Sequence, residues 1–532
     1  MDSAADLELV TLKQASQWAS EFLEKEVSPS NVSYLIQYGK IRKHNGDSNG
    51  VLVDLGDLKR YYESYNREHT FKEQLGDDLN WALSFDHLGE KDTTKHVHRL
   101  HPYKGKFIPQ LVEYFLDDHT DDHKQKTYFS RGDIILDPFT GSGTTLVEAK
   151  ERGIHSIGID VSQFNCMIAN TKLADYDLNF LEQTLEDIKH ALTSLSSHSH
   201  INKFERELTE ELSAFNRRYF PSPDFKYQLQ NGEVDEAYYG EERAKEFLAI
   251  YNALVAKYDV DLTTGSGISF LDTWYVGNIR AEIDQGVHLI EKIEDPQIRD
   301  VLRVILSRTV RSCRTTTHFD LATLKEPQLT TYYCWKHRKI CKPIFSCVSW
   351  FNRYATDTLA RLKTYDKLKS NAHSVVISGD ARYVSIMSAI KERNASLYEL
   401  AKRQRVQGIF SSPPYVGQID YHEQHAYAYE LFGFNRLDEM EIGSQSGGLS
   451  IKARDAYVRG ISDVLTNARK VMADNFHIFL VANDKWNLYP AIAERAGLQV
   501  VDQFKRPVLN RTERSKSPYS EIIFHMEDVA AS

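Results

Sequence analysis

The chain has 532 residues, more than one ordinary hydrophobic core accommodates, so two to four domains are expected. With 41% hydrophobic and 26% charged residues, no long apolar run and an acidic, polar start at Met1–Asp6, it reads as a soluble globular protein with neither membrane span nor signal peptide. A formal net charge of −10 argues against indiscriminate coating of nucleic acid while leaving room for local basic patches, and five cysteines without a secretory signal point to a reducing cytoplasm.

Residues 11–43 read as helix, turn, helix. Leu12, Ala15, Trp18, Ala19, Phe22 and Leu23 recur at helical spacing. Ser28-Pro29 marks a turn and a helix start, and Val32, Leu35 and Ile36 repeat the apolar face up to a stop near Gly39. Lys40, Arg42 and Lys43 follow, then a hairpin-like turn at Asn45-Gly46-Asp47 and an apolar strand over Val51–Leu55. A helix-turn-helix with a small wing is a common DNA-binding layout, so residues 1–60 are expected to form such a module, with those three basic residues on phosphates. The alternative is a small packing or dimerisation module. The charged, Tyr-rich stretch Arg60–Asp78 reads as a linker, drawn over residues 61–95.

Residues 96–116 place His98, Arg99, His101, Tyr103, Lys104, Lys106 and Phe107 ahead of a Pro109-started amphipathic helix carrying Leu111, Val112, Phe115 and Leu116. Basic and aromatic residues there suit contact with a nucleotide-like ligand. Ile134-Ile135-Leu136 then reads as a buried strand, Asp137-Pro138-Phe139-Thr140-Gly141-Ser142-Gly143-Thr144-Thr145 as the loop after it, and Leu146–Lys150 as a helix start. Ser156–Asp160 is a second strand ending in an acid, the place where a ribose hydroxyl pair is held in such β-loop-α-β units. The glycines let backbone approach a ligand closely. The loop is neither G-x-G-x-x-G nor G-x-x-x-x-G-K, which disfavours a dinucleotide dehydrogenase and an NTPase.

Residues 165–370 read as mostly helical, with helices over Leu178–Leu195, Asn202–Phe215, Ala244–Lys257 and Pro296–Thr309, and a loop at Ser196–His200. Arg303, Arg308, Arg311 and Arg314 run into a loop over Thr315–Asp320. In Tyr332-Tyr333-Cys334-Trp335-Lys336-His337-Arg338-Lys339-Ile340-Cys341-Lys342-Pro343, rings alternate with cations, as on a surface that takes phosphates and unstacked bases. Arg311, Arg314, Lys336, Arg338 and Lys339 are therefore candidate DNA contacts. Cys334, His337, Cys341 and Cys347 offer four zinc ligands without paired C-x-x-C knuckles, so free buried thiols are favoured over a metal.

Val375-Val376-Ile377 is another apolar strand, followed by Asp380, a strand-end acid of the kind that accepts from an adenine amino group and that, by itself, is equally an ordinary turn. The run Gly408-Ile409-Phe410 ends a strand at Ser411-Ser412-Pro413-Pro414-Tyr415. Two prolines remove two donors and fix φ, so this loop is stiff. Its hydroxyl, free carbonyls and ring suit a flat heterocycle with an exocyclic amine. A helix near 453–471, a strand over Phe476–Ala482, and a final pair, Val500–Phe504 and Glu521–His525, flanking a Lys/Arg-rich loop complete the chain.

Together, Asp137-Pro138-Phe139-x-Gly141-x-Gly143 and Ser412-Pro413-Pro414-Tyr415 resemble the two signatures of the S-adenosylmethionine-dependent amino-directed DNA methyltransferases, which methylate N4 of cytosine or N6 of adenine. The resemblance implies an α/β fold: a Rossmann-like seven-stranded sheet with a reversed C-terminal hairpin, its core formed by residues 96–170 and 371–532, and a large, mainly helical insertion over 171–370 as candidate recognition region. It implies that Asp137, Pro138, Phe139, Gly141, Gly143 and Thr144 hold the methionine moiety of S-adenosylmethionine, that Asp160 binds the ribose and that Asp380 lies near the adenine. Lys106, Phe107 and Pro109 resemble the flanking cofactor motif, and Ser412, Pro413, Pro414 and Tyr415 the grip on a flipped base.

Serine at the first position of that grip is more typical of cytosine-N4 enzymes, and aspartate of adenine-N6 enzymes. The implied partners are double-stranded DNA and a cognate restriction endonuclease, and the implied location is the cytoplasm, on the nucleoid. Adenine-N6 methylation, an RNA substrate and a catalytically inactive DNA-binding regulator are the competing readings. One departure stands out: the surplus sequence lies between Asp160 and Asp380, whereas the commonest arrangement with this motif order puts it between the Asp380-type and Pro-Pro motifs.

Overall fold

A computed structural model of the chain describes residues 8–529 apart from 24–25, 38–39, 46–50, 64–70, 72, 77, 86–87, 89, 104, 197–199, 266, 268, 319–323, 419 and 509–518. The expected helix stop at Gly39, the turn at Gly46-Asp47, part of the linker, Lys104, the tract Ser197–Ser199, Asp320 and most of the C-terminal Lys/Arg-rich loop lie outside the described residues. In chain order the strands are β1 (Leu9–Thr11), β2 (Lys43–Asn45), β3 (Val51–Asp54), β4 (Ile134–Asp137), β5 (His155–Asp160), β6 (Tyr332–Cys334), β7 (Lys339–Cys341), β8 (Ser374–Ser378), β9 (Val406–Ser411), β10 (Met472–Ala482), β11 (Leu498–Pro507) and β12 (Ser520–Asp528). The chain divides into two units, one built from Phe71–Leu192, Ile283–Ser312 and Val348–Ser532, the other from Met1–Thr70, Thr193–Glu282 and Cys313–Cys347.

The first unit holds a seven-stranded sheet in the order β11-β12-β10-β9-β4-β5-β8. The pairs β10–β9, β9–β4, β4–β5 and β5–β8 are parallel, whereas β12 runs antiparallel to both β10 and β11. This is the Rossmann-like sheet with a reversed C-terminal hairpin. Its central strands are buried on both faces, which is why they read as continuous apolar runs. Ile134 and Leu136, Ile409, Ile478 and Leu480 face one core, with the helices Ile386–Arg393, Ala395–Gln404, Ile451–Arg469 and Tyr489–Arg495. Ile135, Phe410, Phe479 and Val481 face the other, against the helix Pro109–Leu116. The chain runs outward from β4 through β5 to β8 and returns to β9 on the opposite side of β4. The crevice between the ends of β4 and β9 is thus a topological switch point, where α/β sheets bind ligands.

The second unit contains the helices Leu12–Leu23 and Pro29–Gln37, an antiparallel sheet in the order β1-β3-β2, and the helix Leu55–Glu63. Ser28 and Asn31 cap the second helix reciprocally: the Ser28 N–H donates to Asn31 Oδ1 at 2.9 Å, and the Asn31 N–H to Ser28 Oγ at 3.3 Å. Ala15, Ala19, Val32, Ile36, Ile41, Val53 and Leu58 form the core beneath. The long helices His200–Tyr219 and Glu236–Tyr258 enclose a second core of Phe204, Phe215, Phe247, Tyr251, Ile340 and Phe345. The Arg42 guanidinium stacks over the Tyr227 ring at 4.2 Å.

The mainly helical segment 171–370 is shared between the units. The helices Pro296–Ser312 and Val348–Asp366 belong to the sheet unit, joined by an Arg308–Asp357 ion pair of 2.7 Å, and Tyr365 stacks on His96 at 5.3 Å. The physical reason is an apolar stripe (Ile298, Val301, Leu302, Ile305, Leu306) that the sheet unit buries. The aromatic-basic stretch at 332–343 contains a β6–β7 hairpin, in which Tyr332 pairs with Cys341 and Cys334 with Lys339.

Candidate active site

The switch-point crevice contains a pocket lined by the loop after β4, the acid ending β5, the turn after β8 and the exit of β9. The β4 loop is held by main-chain bonds, one within it and one to β5: the Gly143 N–H donates to Thr140 O at 2.7 Å, and the Thr140 N–H to Ile159 O at 3.0 Å. Gly143, at φ 78°, precedes the helix Thr144–Glu151. A Cβ on it would sit 2.9 Å from Ala169 Cβ and 3.2 Å from Ala169 Cα, so the position requires glycine for both conformation and space.

Asp160 holds this loop. Its Oδ2 accepts from the Gly141 N–H at 2.9 Å, and its Oδ1 from the Ser162 N–H at 2.8 Å and from Asn165 Nδ2 at 3.1 Å. Burial pushes its carboxyl up to about 6 against those three bonds. Asp137 is raised to about 6 for the same reason, and it accepts from Ser411 Oγ at 2.6 Å and from the Phe139 N–H at 3.2 Å. The ends of β4 and β9 are therefore tied directly to each other. Asp380 follows β8 and is gripped by Arg382, whose Nη2 lies 2.6 Å from Oδ2. Lys106 donates to His98 O at 2.6 Å, and burial lowers its ammonium to about 8. Phe107 packs edge-on against Phe410 at 5.5 Å.

Of the residues singled out in the sequence, Lys106, Phe107, Asp137, Pro138, Phe139, Gly141, Thr144, Asp160, Asp380, Ser412 and Pro414 line this one pocket. Pro109, Gly143, Pro413 and Tyr415 do not. Pro109 is the buried first residue of its helix, and Gly143 acts through backbone conformation. The Tyr415 hydroxyl donates to Glu521 Oε1 at 2.9 Å on β12, and its ring lines a separate small cleft with Tyr457, Asn483, Asp484 and Trp486. Tyr103, one of the aromatic residues noted ahead of Pro109, also lines it, and pocket residues missed by sequence reasoning include Ser162, Asn165, His422 and Glu441. Asn165 has a signal in the sequence, one helical turn beyond the strand-end acid; His422 and Glu441 have none.

The lining suits a ligand that is cationic at one end and carries a diol and an amine. Asp137, Asp160, Asp380 and Glu441 supply acceptors. Thr140 Oγ1, Ser142 Oγ and Asn165 Oδ1, all buried, have no hydrogen-bond partner within the protein. Polar atoms in that state are expected to meet ligand or water. S-adenosylmethionine, with its sulfonium, ammonium, ribose and adenine, fits these groups.

The candidate DNA contacts separate by exposure. Lys40, Arg42, Lys43, Lys336 and Lys339 are exposed, whereas Arg314 is buried. Arg338, at φ 55°, pairs with Glu236, and Arg311 is half-buried in the sheet unit. A buried guanidinium is unavailable to a phosphate, so Arg314 leaves the set of direct DNA contacts. No helix among the described residues is long and apolar enough to cross a membrane.

A family model described as DNA methylase matches residues 28–171. The type II methyltransferase M.MjaII of Methanocaldococcus jannaschii is 46% identical over 525 residues, covering 98% of this chain and 97% of that protein. Shorter matches link the chain to M.BsoBI of Geobacillus stearothermophilus (33% identity, 24% of this chain and 22% of that protein) and M.MvaI of Kocuria varians (28%, 22% and 24%), both type II methyltransferases. An end-to-end match at that identity shows the family: this chain belongs to the type II DNA methyltransferases, and that membership implies S-adenosylmethionine as methyl donor and DNA as acceptor.

Proposed function

We propose that the chain methylates the exocyclic N4 amine of a cytosine extruded from duplex DNA, as the modification arm of a restriction–modification pair. The observation that carries the reading is the position of Ser412: it leaves β9 into the same pocket that Asp137, Gly141 and Asp160 line, next to a strand end tied to β4 by the Ser411–Asp137 bond. When bound, S-adenosylmethionine supplies an electrophilic methyl group on sulfur.

The amine of cytosine is conjugated to its ring and nucleophilically weak. Hydrogen bonds from it to the Ser412 hydroxyl and the Pro413 carbonyl favour a tetrahedral nitrogen with its lone pair directed into the pocket, and orientation supplies much of the rate. Such a route needs no covalent enzyme intermediate, and no cysteine stands in the Ser412–Tyr415 loop. Because the Tyr415 hydroxyl is anchored to Glu521, we assign this ring to fixing the loop rather than to the first contact with the base. The target atom lies inside a duplex, so the base must leave the stack.

Ser412→Ala tests the assignment. Calorimetric titration should give an unchanged affinity for S-adenosylmethionine, while methyl transfer falls on the order of 10²–10³-fold, the size of losing one positioned hydrogen bond at a reacting centre. Undiminished transfer would remove Ser412 from the mechanism.

A further inference from the structure

Four side chains that the pocket does not use meet in the second unit. His318, Cys334, His337 and Cys341 each bring one ligand atom to a common point, and these atoms all lie within 4.8 Å of one another. Cys334 Sγ is 3.8 Å from His318 Nδ1, and Cys341 Sγ is 3.5 Å from His337 Nδ1. The two imidazoles stand 4.5 Å apart between ring centroids. A tetrahedral zinc ion, with Zn–S about 2.3 Å and Zn–N about 2.0–2.1 Å, sets its ligand atoms roughly 3.3–3.8 Å apart. The free protein thus stands within small side-chain adjustments of that arrangement.

We propose that this chain binds one structural zinc ion through Cys334, Cys341, His337 and His318. The sequence suggested Cys347 as the fourth ligand; it is not part of the cluster, and His318, from a different segment, takes its place. The surroundings suit a metal. Cys334 opens a tight turn in which the His337 and Arg338 N–H groups return to Cys334 O at 3.1 and 2.7 Å, with Arg338 in the left-handed region. The Tyr332 hydroxyl accepts from the His318 main-chain N–H at 3.0 Å, which positions the segment carrying the fourth ligand; its 2.9 Å contact with His318 Nδ1 is given up when that nitrogen takes the metal. The cluster borders a cleft lined by Asn216, Arg217 and Lys339, which gives an ion a path in.

All four coordination positions are filled by protein, the mark of a structural site. Bound there, the ion pins the β6–β7 hairpin to the 313–318 segment and fixes the turn that exposes Trp335 and Lys336.

The 532-residue chain, expressed with zinc in the medium and purified under reducing conditions, tests the site by elemental mass spectrometry. About one zinc per chain is expected in the wild type and in Cys347→Ser, with loss to background in Cys334→Ser/Cys341→Ser. Should that double variant fold poorly, exchange of cobalt(II) into the wild type provides the second measurement: thiolate charge-transfer and tetrahedral ligand-field bands are expected, and they should weaken in His318→Ala. Wild-type protein without zinc that also yields no such bands would overturn the proposal. So would metal retained by the folded double variant, or a Cys334–Cys341 disulfide in the freshly purified chain.

Discussion

The pocket between β4 and β9 and the Cys/His cluster of the β6–β7 hairpin both gather polar side chains, but they hold them by different means. In the pocket, main-chain N–H groups and parallel strands buried on two faces fix Asp137 and Asp160, and the loops are closed by their own backbone bonds. In the hairpin, Tyr333 and Ile340 pack into the second core, while the Cys and His side chains converge from two short strands, the turn between them and His318. Groups tied down by the main chain form a site before its ligand arrives, whereas four side chains converging on one point are held together by what binds there.

That contrast can be tested by removing one group at a time. Asp160→Ala should cause the largest effect, weakening S-adenosylmethionine on the order of 10–100-fold in a calorimetric titration, because two buried N–H donors lose their acceptor along with the ribose. Retained affinity would mean that the ribose is held elsewhere. Acid should act on the same carboxyl. With its folded value raised to about 6, Asp160 is charged above that pH and protonated below it, so cofactor affinity should fall by up to about tenfold per unit as pH drops below 6. A flat profile between pH 5 and 7, a range chosen to bracket that value, would separate the carboxylate from binding.

The sign for stability is the reverse. A carboxyl raised on folding favours the folded state only while protonated, so the contributions of Asp137 and Asp160 to stability decline as pH rises from about 4 to 6. Stripping zinc from the hairpin should lower DNA affinity while leaving cofactor affinity unchanged; parallel losses would break the contrast. The smallest effect belongs to Lys40→Gln/Lys43→Gln. Each lost phosphate contact should reduce the slope of log affinity against log salt by about 0.9. An unchanged slope would make the N-terminal helices a packing module. Arg314→Gln, being a change at a buried residue, should lower thermal stability without altering that slope.

How much of this was legible in the sequence follows the same physics. Asp137–Thr144 and Ser412–Tyr415 are contiguous loops leaving strands apolar on both faces, so run length, glycines and prolines announced them, together with their common sheet. Asp380 was placed by the same logic, and the turn it occupies after β8 lines the pocket. His422 and Glu441 enter the pocket from a segment with no strand pattern, and nothing local marks them. Tyr415 was legible as part of the loop, but the bond from its hydroxyl to Glu521 on β12 was not, because the two residues lie far apart in sequence. His318 lies sixteen residues before Cys334, outside any knuckle spacing, so only the fold brings it to the thiols.

The most direct measurement of the central claim is nucleoside mass spectrometry of DNA from cells expressing this chain, with Ser412→Ala as control. N4-methyldeoxycytidine in the wild type and its loss in the variant is the predicted result. N6-methyldeoxyadenosine in its place, or no methylated nucleoside at all, would contradict it.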